Sequence, residues 1–281
     1  MKVKIISDST CDLSKELIQK YDIEIVPLYV ILGNDTRKDG IDVNPDDIYS
    51  YVDKNGTLPS TSAVNIPDYQ DVFKYWTEQG YEVVHFGISS DFSSSYNNAR
   101  LAAEEFENVF VVDSRNLSTG QGLVVLHGCE MAQNGASAKE IADECAKITD
   151  KVEASFVVNS IDYLFKGGRC SALSAFGANL LQLKPCIEVI DGKMKPGKKY
   201  RGNISRVIAN YVVDRLQNRD DINKHRIFIT HTKCNQEDID EVRNKIIEIC
   251  PDFEEIIETT AGCTVTTHCG PATLGILFIR K

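Results

Sequence analysis

No stretch of this sequence approaches the roughly 18 consecutive apolar residues that a membrane-spanning helix needs, so no integral membrane segment is expected. Positive charge is also scarce. With 31 Lys and Arg against 41 Asp and Glu the net charge is -10, which argues against nucleic acid as a partner, since such proteins gather cations to offset phosphates. Cys-x-x-Cys pairs are absent although there are nine cysteines, and an odd, scattered set fits reduced thiols better than a disulfide framework. His231-x-x-Cys234 and His268-Cys269 match no structural zinc spacing, so no metal is expected. Gly-x-Ser-x-Gly, a Walker-type phosphate loop and Gly-x-Gly-x-x-Gly are missing too. Internal repeats and low-complexity tracts are likewise lacking. The first residues, Met1 to Asp8, turn polar too soon for a signal peptide, and a cytoplasmic location is expected.

What the chain does have is polar loops at strand ends. Glu82 to Phe86 predicts a buried strand and Ala99 to Phe106 a helix, and between them Ile88-Ser89-Ser90-Asp91-Phe92-Ser93-Ser94-Ser95 packs five serines. A hydroxyl-rich turn that opens a helix gathers N–H and O–H donors around one point, as a phosphate or carboxylate needs. Simple helix capping explains the same composition, so the loop alone leaves both readings open.

Taken in order, Val3 to Ile6 predicts a first strand ending in Ser7-Asp8-Ser9-Thr10, and Ser14 caps a helix to Tyr21. Ile23 to Leu32 is β-rich and broken at Pro27, with Gly33-Asn34-Asp35 turning an edge hairpin. Asn44-Pro45 starts a helix closed by Asn55-Gly56; Leu58 to Asn65 reads as a polar loop; Ile66-Pro67 starts a helix to about Gln79. Val109 to Asp113 is a strand, Gly120 to Asn134 an apolar helix, and Ser137 caps another to about Asp150. This alternation predicts a parallel sheet covered on both faces, with ligands held outside the carboxyl ends of its strands. Asp8 and Asp113 at strand ends are expected to cap and bond turns rather than to form an acid–base pair.

From Glu153 the pattern changes. Ala154 to Val158 is a strand, Gly167-Gly168 breaks any helix and frees the backbone for close approach, Ser174 to Leu183 is helical, and a hairpin turns at Asp191-Gly192. Helices over Ser205 to Asn218 and Asp238 to Ile249 frame a strand at Ile227 to Ile229. Three late strands, Glu255 to Glu258, Cys263 to Thr267 and Leu274 to Ile279, predict a mixed or antiparallel sheet. The boundary falls near residue 152, giving an α/β domain over 1–152 and an α+β domain over 153–281.

Seven segments in consistent order carry a resemblance over nearly the whole chain: Ser7-Asp8-Ser9-Thr10, Thr61-Ser62, ISSDFSSSYNNA at 88 to 99, VVDSRNLSTGQG at 111 to 122, YLFKGGRCS at 163 to 171, LKPCIEV at 183 to 189 and THCGPATLG at 267 to 275. Together they resemble the DegV family of bacterial fatty-acid-binding proteins. The resemblance implies a two-domain α/β fold holding one long-chain fatty acid between the domains, with no cofactor and no catalysis by the chain itself. It also implies an ATP-binding fatty acid kinase as partner, which phosphorylates the bound carboxylate. By the same resemblance Thr61, Ser62, Ser93, Ser94, Arg169 and His268 bind the ligand, Ser93 with its adjoining amide and Thr61 directly on the carboxylate. Departures from the family pattern are Ser94 and Ala272 in place of glycine and Ala63 in place of glutamine.

The residue types fit that chemistry. An ionised carboxylate only accepts hydrogen bonds, so hydroxyls and amides satisfy it. Left unpaired in a buried site it would be costly or would take up a proton. The competing reading is an enzyme, a hydrolase using Ser93 with His268 or a phosphotransfer protein using His268. A dinucleotide-binding module rests on the alternating pattern alone. The basic segment from Lys193 to Arg206 reads either as a solvated face or as a docking surface for the kinase.

Overall fold

The computed structural model describes residues 2–170 and 183–281. The helix expected from Ser174 to Leu183 lies, apart from Leu183, outside them, as does Ser171.

Strands β1 (Lys2–Asp8), β2 (Glu24–Val26), β6 (Tyr81–Gly87) and β7 (Val109–Asp113) form a parallel sheet in the order β2-β1-β6-β7. The chain leaves β1 toward β2 on one side and reaches β6 and β7 on the other. A crevice therefore opens between the carboxyl ends of β1 and β6, where such folds bind ligands. Asp8 sits there, fully buried; its carboxylate accepts from the Ile88 amide at 2.7 Å and from Gln121 Nε2 at 2.9 Å, and bonds the Thr10 hydroxyl. Asp113 accepts from the Ser90 and Arg115 amides. Both bond turns.

A second, six-stranded mixed sheet has the order β10-β9-β8-β13-β11-β12. Its strands are β8 (Val152–Val157), β9 (Lys184–Ile190), β10 (Lys193–Tyr200), β11 (Ile222–His231), β12 (Glu255–Thr260) and β13 (Leu274–Arg280). Only the β11–β12 pair is parallel. A third, antiparallel sheet runs β4-β3-β5, from β3 (Tyr29–Leu32), β4 (Asp35–Lys38) and β5 (Ser60–Ser62). Strand β5 falls inside the expected polar loop. Three hydroxyl residues carry no apolar alternation, and pairing with β3 alone makes them a strand.

The element order among the described residues is completed by ten α-helices and two short 3-10 helices, Ser9–Cys11 and Thr149–Lys151. The first six are α1 (Lys15–Lys20), α2 (Pro45–Asn55), α3 (Ile66–Glu78), α4 (Ser95–Ala103), α5 (Ser118–Gln133) and α6 (Ala138–Ile148). The others are α7 (Asp162–Gly167), α8 (Ile204–Leu216), α9 (Gln236–Ile249) and α10 (Cys263–Cys269). Ser14, Asn44 and Ser137 cap α1, α2 and α6 as their positions predict. Helix α5 is apolar nearly all round, the pattern of a helix buried on every side. Its Leu123 to Leu126 pack with Ile5, Val84 and Phe86 of the parallel sheet and with Ala154, Phe228 and Leu277 of the mixed one. One apolar cluster thus runs across residue 152.

The strand expected over Cys263 to Thr267 is instead helix α10. Thr264, Val265, Thr266 and Thr267 are β-branched and favour strands on propensity. Tertiary contacts override that preference, because Asp12 and Asp39, more than two hundred residues earlier, accept its first N–H groups. Helix α4 likewise begins at Ser95, four residues before its expected start, since Ser93 Oγ accepts from the Ser95 amide.

Candidate functional site

Strand β5, the serine loop, the turn after α7 and helix α10 meet around a cavity of about 40 Å³. Thr61, Ser62, Ser93, Arg169 and His268 all line it. Ser94 does not: it is exposed, caps α4 without a side-chain bond, and lies outside the lining.

Thr61 Oγ1 lies 2.8 Å from His268 Nε2. His268 is buried, and burial first, then the Arg169 charge, push its imidazole down to about 4, so it is neutral at pH 7. Its Nδ1 has no hydrogen-bond partner among the described residues. A neutral imidazole that meets Thr61 through Nε2 can accept the hydroxyl proton or donate to the oxygen, and the second arrangement turns the Thr61 hydroxyl outward as a donor. Arg169 is exposed and donates to the Gly167 carbonyl at 2.7 Å; burial of part of its side chain lowers its own pKa. The double glycine has a defined role. Gly168 ends α7 at φ 70, and a Cβ on Gly167 would collide with His268 Nδ1. His268 is thus the group that the glycine backbone approaches.

Two residues that composition did not single out hold the two hydroxyl segments together. Ser93 Oγ donates to Ser95 Oγ at 3.1 Å, and fully buried Ser95 Oγ accepts from the Val64 amide at 3.2 Å. Asn98 Nδ2 donates to the Val64 carbonyl at 2.7 Å. Val64 follows Thr61 by three residues, so Ser95 and Asn98 fix β5 against the serine loop. Both lie in the segment from 88 to 99, at a Ser-x-x-Asn spacing that places them on one helix face. The Ser93 amide is bonded to the Ser89 carbonyl at 3.2 Å and its hydroxyl is given to Ser95 Oγ, so a ligand at Ser93 would take that hydroxyl from Ser95.

A serine hydrolase would pair Ser93 with His268. Ser93 instead bonds Ser95, and His268 meets Thr61. Among the described residues no group of three or more His, Cys, Asp or Glu could hold a metal ion. No disulfide joins the cysteines among the described residues, and eight of the nine are buried. Ala63 lines the cavity, whereas Ala272 stands apart at φ 54, a conformation that glycine adopts more readily.

A second cavity of about 30 Å³, walled by Ala154, Phe156 and Leu277 among others, adjoins it and shares Leu117, Val265 and Cys269 with it. The first cavity sets Thr61, Ser62, Ser93, Arg169 and His268 among apolar walls such as Ile88, Phe92 and Met194.

Asp12, close to the site, gives a pH test. Burial above all, with help from Asp39 and Asp8, pushes its carboxyl up to about 8, against hydrogen bonds from Ser118 and Gly262 that lower it. The stability linked to this raised carboxyl is fully present below its ordinary value of 3.8 and is lost as pH rises through about 8. Asparagine mimics the protonated form, so the melting temperature of Asp12→Asn should gain on the wild type as pH rises from 6.5 to 9, a window set by the ordinary histidine value above which His268 no longer titrates. A difference that stays constant with pH would contradict the assignment.

Residues 2–281 match the family model described as "Uncharacterised protein, DegV family". A DegV domain-containing protein of Clostridium acetobutylicum is 33% identical over 282 residues, covering 100% of this chain and 99% of its own. A fatty acid-binding protein of Thermotoga maritima is 34% identical over 284 residues, covering 98% and 96%. Among solved structures, a DegV lipid-binding protein from Thermotoga maritima matches at a TM-score of 0.87 and 30% identity, with 100% of both chains covered. The relatives whose names state an activity are thus binding proteins. A family-model match over residues 2–281, on a fold that superposes over its full length, makes this chain a member of the DegV family.

Proposed function

We propose that this protein binds one long-chain fatty acid, with the carboxylate at Thr61 and Ser93 near Arg169 and His268, and the tail running into the apolar cavity behind. The carrying observation is that a cavity holding Thr61, Ser62, Ser93, Arg169 and His268 among apolar walls adjoins a second, apolar cavity through three shared wall residues. Affinity comes mostly from the tail: around fourteen methylenes at about 0.8 kcal/mol each give on the order of 11 kcal/mol gross. Each charge-assisted head-group bond adds about 1.5–3 kcal/mol and fixes orientation. The two cavities, about 40 and 30 Å³, are far smaller than the ~300–1,000 Å³ of typical ligand sites, so loading must move the walls apart. Residues 1–152 and 153–281 are the halves we take to open around the ligand.

Native mass spectrometry of protein purified without delipidation, followed by lipid extraction, tests this. One long-chain fatty acid per chain is expected; an empty site or a bound nucleotide would overturn the reading.

The chain's role is to present the carboxylate, not to transform it. An ATP-binding fatty acid kinase would transfer the γ-phosphoryl group to a carboxylate oxygen, with ADP leaving. The basic segment from Lys193 to Arg206 is the docking surface we favour on an otherwise acidic protein. Arg201 and Arg206 in it are exposed, and Lys193 pairs with Asp91 of the serine loop at 3.4 Å, which connects that surface to the site. Buried cysteines not joined in disulfides fit a reducing, cytoplasmic setting. No helix among the described residues is long and apolar enough to cross a membrane.

A further inference from the structure

We propose that Asp12 and Asp39 are positioning residues for the carboxylate site: from two loops of the N-terminal half they hold the first turn of α10, and through it they set where His268 meets Thr61. The functional consequence rests on the carboxylate reading above; the structural one does not.

Helix α10 has little of its own to keep it helical. It spans seven residues, four of them β-branched, its N-cap is Gly262, and no acidic residue sits in its first turn. Long-range carboxylates take the place of local caps. Asp12 Oδ1 accepts from the Gly262 amide at 2.8 Å. Asp39 Oδ1 accepts from the Cys263 amide at 2.9 Å, and Asp39 Oδ2 accepts from the Thr264 amide at 3.0 Å and the Thr264 hydroxyl at 2.6 Å. Carboxyl oxygens placed at a helix N-terminus satisfy its free N–H donors, and they do so whether or not the group carries a charge. Both aspartates are buried, so neither bond set competes with water.

The same small sheet grips both ends of the helix. Asp39 directly follows β4, and its amide donates to the Leu28 carbonyl at 2.9 Å just before β3. Strand β3 pairs with β5, with Val30 opposite Thr61, and Thr61 touches His268 near the end of α10. Asp39 at one end and Thr61 at the other thus span α10 from a single rigid support. Fraying of the first turn would let His268 drift from Thr61 and leave the Thr61 hydroxyl without its orienting partner.

The test is a double-mutant cycle on delipidated protein, with palmitate as the probe. Asp39→Ala should lower palmitate affinity about tenfold, the weight of one charge-assisted bond, but less than about twofold in a His268→Ala background. Equal losses in both backgrounds, or no loss in either, would overturn the proposal. Asp12→Ala should weaken binding and Asp12→Asn restore it, since the amide reproduces the bonds to Gly262 and Ser118. Should Asp39→Ala fail to fold, Gly262→Ala is the milder probe, because its Cβ would sit 3.0 Å from Asp12 Oδ1 and 3.5 Å from Asp39 Oδ1. The imidazole nitrogen resonances of His268, read by NMR in unliganded protein, should shift in the clamp variants. Unmoved resonances would refute the clamp whatever the lipid result. Moved resonances with a wild type that binds no palmitate would sink the fatty-acid reading alone.

Discussion

Replacing Thr61 and Ser93 together by alanine should weaken binding of a long-chain fatty acid at least about a hundredfold. Each hydroxyl offers the carboxylate a charge-assisted bond of about 1.5–3 kcal/mol, and about 1.4 kcal/mol is tenfold in affinity. The methyl ester of the same acid carries the same tail without the charge, so it should lose far less between wild type and variant. Calorimetric titration of delipidated protein with both ligands separates head-group from tail contributions. Equal affinities of wild type and variant for the free acid would refute the site. A side effect is expected in stability. Thr61 is the partner of His268 Nε2, and Nδ1 has none among the described residues, so alanine at 61 leaves a buried imidazole with neither nitrogen paired to them, at about 1–3 kcal/mol. Titrations therefore belong well below the melting temperature of the variant.

Gly270→Ala should cost roughly 3 kcal/mol of stability. Gly270 ends α10 at φ 73 and ψ -179, a region that residues with a side chain scarcely occupy, and an added Cβ would lie 2.5 Å from the Tyr163 ring. For a chain of this size that corresponds to a fall of roughly 5–10 °C in melting temperature, measurable by calorimetry. In a Tyr163→Ala background the collision disappears while the backbone strain stays, so part of the loss should return. A change of less than about one degree in the single variant would show that the turn relaxes freely. The prediction also bears on the site, since Gly270 follows His268 by two residues and α7, which carries Tyr163, leads to Arg169.

How much of this was legible in the sequence differs from element to element. Helices with local signals were readable: Ser14, Asn44-Pro45 and Ser137 each bring their own cap, and the alternation of strand and helix before residue 114 fixes the parallel sheet. Polar loops at strand ends pointed to the right edge of that sheet. Strand β5 and helix α10 were not readable in this way. Ser60–Ser62 is a strand because β3 lies beside it, and Cys263–Cys269 is a helix because Asp12 and Asp39 cap it from across the fold.

The sequence by itself determined the class of fold, the absence of a long apolar span, and which residue types stood ready for an anion, because composition, periodicity and local caps act within a few residues. Only the tertiary structure decided which of those residues share a cavity. It brought Thr61 to His268, moved Ser94 out of the lining, and enlisted Ser95 and Asn98 as supports. The physical reason is that hydrogen bonds between groups more than two hundred residues apart depend on how sheets and helices pack, and packing is a property of the whole chain that no single stretch contains.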